Sequence, residues 1–95
     1  MNKKELTKTI KSIYEWPLQQ DRAWEIYNNF VDLLLSGDAG TEAYLKQIIN
    51  FNKEQRQKYR NHLADKGFEL RPDELSQYVL LIIIAFNEVK ELQNG

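Results

Sequence analysis

A chain of 95 residues is long enough for one domain and too short for two, and 42% hydrophobic with 28% charged residues is the mix of an ordinary globular protein rather than of a disordered one. A net charge of −1 argues against a chain built as a whole to coat nucleic acid, and the lack of cysteine removes disulfides, thiolate nucleophiles, iron–sulfur clusters and cysteine-ligated zinc together. The longest apolar run, Tyr78 to Phe86, falls far short of the ~20 residues that span a bilayer, and Met1 to Ser12 lacks the unbroken apolar stretch of a signal peptide, so a cytoplasmic protein without membrane contact is expected.

The pattern predicts an all-α chain, a compact bundle of five helices. The first covers about residues 3–15, where Leu6, Ile10, Ile13 and Tyr14 recur with a 3.6-residue period and Lys, Thr and Ser fill the other side. Pro17 ends it, because proline disfavours helical geometry in Trp16 before it and is welcome in the first turn of the next helix. Trp16 lies off the stripe, and both core and contact roles stay open for it.

The second helix, about 18–36, carries Ala23, Trp24, Tyr27, Phe30, Val31, Leu34 and Leu35 on one broad face, widened by Ile26 and Leu33. Asp21, Glu25, Asn28, Asn29 and Asp32 form its wet side. Gly37 is placed to take the left-handed conformation that stops a helix, and Thr41 is the expected cap of a short third helix, 41–50, with Tyr44, Leu45, Ile48 and Ile49 facing inward.

Asn52 followed by Gln55 reads as a reciprocal capping pair that starts a fourth helix, 53–66, and Gly67 with Phe68 set to touch Leu63 reads as its Schellman stop. Pro72-Asp73-Glu74 then opens the fifth helix, 72–93, with a preset φ and two acids at the positive end of the helix dipole. Leu75, Tyr78, Val79, Leu81, Ile82, Ala85, Phe86, Val89 and Leu92 cover one face of this helix, which is expected to be central. Leu80, Ile83 and Ile84 are left over at i, i+3 and i+4 among Ser76, Asn87 and Glu91. They are covered either by the chain's own first or third helix, the version preferred here, or by a second molecule. A buried strand over 78–86 is the rival reading, and no second apolar run offers it a partner.

Chemistry is sparse. His62 is the single histidine, so a nucleophile system could rest on that one imidazole alone, no two-imidazole metal site can be assembled, and no glycine-rich phosphate loop is present. Neither a cofactor nor a small-molecule substrate is indicated. Charge is segregated instead: Glu15, Asp21, Glu25, Asp32, Asp38 and Glu42 face Arg22 alone between Ser12 and Leu45, while Lys53, Arg56, Lys58, Arg60 and Lys66 face only Glu54 and Asp65 between Lys53 and Lys66. On the fourth helix Arg56 lies almost in line with Tyr59 and Leu63, so its stem should border the core while its guanidinium reaches an acid, within the chain or on a partner.

Leu45 to Leu63, a short helix, a tight Asn50-Phe51-Asn52 connection and a basic helix, resembles a helix-turn-helix in outline and implies nucleic-acid binding by helix 53–66. It departs from that pattern at Arg56 and Arg60, where apolar anchors are usual, and at Asn50, where glycine is. The function expected first is a non-enzymatic protein-binding protein of the adaptor, inhibitor or immunity kind, acting on another protein or on itself through a helical surface. The residues expected to carry binding are Lys53, Arg56 and Arg60 on the fourth helix and Leu80, Ile83 and Ile84 on the fifth.

Overall fold

The structure, a computed structural model, describes residues 1–94. The five helices are α1 (Lys3–Ile13), α2 (Gln20–Leu35), α3 (Ala39–Ile49), α4 (Lys53–Asp65) and α5 (Pro72–Asn94). The stretch 78–86 is helical throughout, so the strand alternative falls.

α5 packs most extensively on α2 and next on α3. Leu18, just before α2, lies beside Gln77, and Leu34 near the end of α2 lines a cleft with Val89, so α2 and α5 run parallel. α1 runs the opposite way. The Met1 amino group donates to Glu88 Oε1 at 2.9 Å, while the linker that follows α1 reaches Gln77. The core is one cluster in which Leu6 and Ile10 of α1, Ala23, Tyr27 and Leu34 of α2, Leu45 and Ile48 of α3, and Val79, Leu81, Ile82, Ala85 and Val89 of α5 meet. Burial of this apolar surface, at roughly 25 cal/mol per Å², is the main force that orders the helices.

Several ends follow the sequence signals closely. Asn52 Oδ1 accepts from the Gln55 N–H at 2.9 Å and Gln55 Oε1 accepts from the Asn52 N–H at 3.0 Å, a complete capping box. Gly67 takes φ +90°, the Phe68 N–H donates to the Leu63 carbonyl at 2.9 Å and the Gly67 N–H to the Ala64 carbonyl at 3.0 Å, which is the Schellman pattern. Gly37 stops α2 at φ +76°.

Other expectations need correction. α1 ends at Ile13, two residues early, and α2 starts at Gln20, two residues late, with the Leu18 N–H donated to Gln77. α3 starts at Ala39 with Asp38, not Thr41, as its cap: Asp38 Oδ1 accepts from the Gly40 N–H at 2.9 Å. Ile13, Leu33, Leu35, Tyr44 and Leu92, all assigned inward, are exposed. Ile13, Leu33, Leu35 and Leu92 lie in the last turns of their helices, and Tyr44 lies at the border of the α3 stripe. Trp16 is 60% exposed, whereas Trp24 is half-buried and stacks on Tyr27 with centroids 5.6 Å apart.

One core residue is polar. Gln77 is fully buried, its Oε1 accepting from the Leu18 N–H at 2.5 Å and its Nε2 donating to the Trp16 carbonyl at 2.8 Å. Pro17 has no N–H, so the bend between α1 and α2 cannot satisfy its own backbone, and the glutamine amide from α5 supplies both partners.

Candidate binding site

α4 is the least anchored helix. It buries no residue fully, and Tyr59 and Leu63 are its half-buried apolar contacts. Phe51, just before it, meets Tyr59 edge-on with centroids 5.8 Å apart and rings 63° apart, and the exposed His62 ring lies 6.5 Å from Tyr59 at 27°. Burial, together with the adjacent Tyr44 hydroxyl and the more distant Tyr78, pushes the Tyr59 phenol well above its ordinary range.

Lys53, Arg56 and Arg60 fall at i, i+3 and i+7, which is one face of α4, and that face is turned toward the first turns of α5. Between them lies a cleft of about 390 Å³ whose far wall is Pro72, Leu75 and Ser76. No acidic side chain lines it. Glu74, in the first turn of α5, is engaged elsewhere, its Oε2 accepting from the Arg71 N–H at 3.2 Å.

Three of the thirteen lysines and arginines form side-chain ion pairs among the described residues, and none of the three lines this cleft. Lys46 pairs with Glu42 at 2.9 Å and Lys58 with Glu54 at 3.6 Å, each one turn apart, and Lys3 pairs with Asp21. Lys53, Arg56 and Arg60 form no ion pair among the described residues. Arg56 is half-buried as expected of a core-bordering stem, but the acid expected to meet its guanidinium is missing, and its buried Nε has no hydrogen-bond acceptor. A buried donor left unpaired costs about 1–3 kcal/mol, and like charges a turn apart on a helix add a few tenths more.

The expected apolar residues lie on the same helix as the far wall. Leu80 and Ile84 are half-buried and pack against the core, and Ile83 is 37% exposed. The chain's own helices therefore cover two of the three in part and leave Ile83 open. Projected at 100° per residue, Ser76, Leu80 and Ile83 form one strip of α5 that borders the cleft, with Ile84 on the α1 side beside Met1 and Glu5. Of the six residues, Lys53, Arg56 and Arg60 line the cationic cleft, Leu80 and Ile83 lie on the strip beside it, and Ile84 stands apart on the α1 side.

The grouping of Lys53, Arg56 and Arg60 is legible from their spacing; the far wall is not, because no sequence signal says which turn of α5 faces α4. Among the described residues no three His, Cys, Asp or Glu side chains gather to hold a metal ion, and no helix is long and apolar enough to cross a membrane. No family model, curated protein or solved structure matches the chain.

Proposed function

We propose that the chain is a small non-enzymatic binding protein that recognises an acidic partner polypeptide through the α4–α5 face. The observation that carries this reading is the set of cations at the cleft, held without counter-charges while neighbouring lysines are paired within their own helices. Cations gathered on one face repel one another, and on this reading a partner's acid relieves that repulsion. The bordering Ser76, Leu80 and Ile83 supply a rim in which limited apolar contact accompanies charge, the usual make-up of a modest interface. The strip is too small to carry a second copy of the chain by itself, since a stable dimer buries about 800 Å² on each partner.

The same cations favour one other reading, nucleic-acid binding by α4. Against it stands their direction: Arg56 and Arg60 are half-buried toward α5, and Lys58 on the outward side is paired with Glu54. A helix that reads duplex DNA must present its cations on a convex face that enters a groove about 12 Å wide.

A photo-crosslinking residue at position 83, compared with one at Glu25 on the wet face of α2, tests the proposal in the cells that make the protein. The expected result is an adduct with one defined polypeptide from position 83 only, lost when Arg56→Glu and Arg60→Glu are combined in a variant of unchanged helicity. Equal labelling from both positions, or insensitivity to the charge reversals, contradicts it. A salt-sensitive shift of duplex DNA or RNA by the intact chain, abolished by the same reversals, would transfer the face to nucleic acid.

A further inference from the structure

We infer that the α4–α5 cleft is an oxyanion pocket, and that the group it takes is the carboxylate of an acidic residue inserted by the partner. The inference rests on the reading of this face as the binding surface and deepens it by naming the chemistry recognised.

Three features point to a carboxylate on a short apolar stem. The first is electrostatic. Lys53, Arg56 and Arg60 converge on one concavity with no acid in its lining, so the field inside is positive and no internal group competes for it. The second is the donor geometry. Two guanidinium groups are planar forks that match a carboxylate in bidentate fashion, and the ammonium of Lys53 adds a point charge at the mouth. Arg56 is not yet committed to a partner within the protein, and its unpaired Nε shows that the present arrangement of this guanidinium leaves a donor unused. An anion drawn into the cleft lets the guanidinium turn and complete its hydrogen bonds at no loss elsewhere.

The third feature is size and lining. A volume of about 390 Å³ is several times what a bare carboxylate fills and lies at the lower end of ligand pockets, which run from roughly 300 to 1,000 Å³. Pro72, which is exposed, gives the far wall an apolar surface, with Leu75 buried behind it. Methylene groups of a glutamate, or the body of a chain-terminal residue, can lie on that wall while the carboxylate meets the cations. A free phosphate satisfies the charge and leaves the wall uncovered. The Ser76 hydroxyl and the Gln57 side chain flank the cleft as neutral polar groups and offer hydrogen bonds to a peptide backbone entering it.

The test is a nitrogen–proton NMR titration of the intact chain with a blocked Ala-Glu-Ala tripeptide, its Ala-Gln-Ala counterpart and inorganic phosphate, all at one ionic strength. The glutamate peptide is expected to give saturable shifts confined to the amides of Lys53, Arg56, Arg60 and Ser76 and to the Arg56 side-chain N–H, with the glutamine peptide at least about tenfold weaker. Arg56→Lys keeps the charge and loses the fork, so it should weaken binding about tenfold without altering the rest of the spectrum. Lys53→Gln, at an exposed position in the first turn, is a second variant that cannot compromise folding and should weaken binding as well. Absence of saturation, shifts scattered over the surface, equal response to both peptides, or tighter binding of phosphate would each overturn the carboxylate assignment. Such a failure alongside a specific adduct from position 83 removes the pocket and leaves the binding face intact.

Discussion

Gln77 shows how much one side chain can decide. Its amide is the partner for two backbone groups at the Trp16–Leu18 bend, one of them in the buried residue Leu18, and it ties the α1–α2 connection to the middle of the molecule. Gln77→Leu keeps the volume and orphans both groups, so unfolding by urea should show a loss of about 1–3 kcal/mol; an unchanged midpoint would mean that water serves the bend equally well. Tyr59 makes a second prediction, about pH. Its folded-state pKa lies above the unfolded value of 10.0, with burial the first cause, and Tyr27 is raised for the same reason. A raised phenol contributes nothing to pH dependence below the unfolded value and costs stability as pH climbs past it, because only the unfolded chain then releases its proton freely. The tyrosine contribution to stability should therefore be flat up to about pH 10 and fall above it. Tyr59→Phe should make that fall shallower; an alkaline limb of the same steepness would show that Tyr59 is not desolvated. The sequence marks Tyr59 as an apolar contact of α4 and gives no sign of Gln77. Gln77 sits between Ser76 and Tyr78, and only the arrival of the Trp16–Leu18 connection beside α5 makes its burial favourable.

At the scale of elements, local chemistry was readable where it is self-contained. The Asn52–Gln55 box and the Gly67 stop need no tertiary partner, and both stand where the residues place them. α3 starts ahead of the expected Thr41 cap because Asp38 caps it instead. Gly40 sits in the first turn, where its N–H is one of those that a cap must satisfy, and Asp38 satisfies it. Inward and outward faces were readable at the centres of helices and not at their margins: α5 is buried along one side as far as Val89, and every residue from Lys90 to Asn94 is exposed, Leu92 included. α4 depends on its caps more than the other helices because it has little buried surface. Asn52→Ala should cost about 1 kcal/mol, and hydrogen exchange should show amides of α4 opening before those of α2 and α5, the gap widening in the variant. Uniform exchange across all five helices would contradict this account of α4 as a lightly held arm.

Seen as a whole, the molecule separates its tasks. α2 and α5 with α1 and α3 around them hold the core, and α4 holds charge. The acids on α2 and the cations on α4 do not meet across the fold; apart from Lys3 with Asp21, the side-chain ion pairs are between residues a turn apart on one helix. The candidate site was half legible for that reason. The α4 cations are a one-dimensional pattern, whereas the absence of an acid opposite them and the wall of Pro72 and Leu75 are properties of the assembled bundle.

The central claim is that Arg56 is kept for a partner and not for the fold, and thermal unfolding of Arg56→Met measures it most directly. Methionine retains the apolar stem, removes the unpaired donor and lowers the mutual repulsion at the cleft. A gain of about 1 kcal/mol, worth roughly 4–8 °C in a domain of this size, is predicted together with loss of the cross-link from position 83. A variant that melts several degrees below the parent chain would show that Arg56 stabilises the bundle, and would contradict the account.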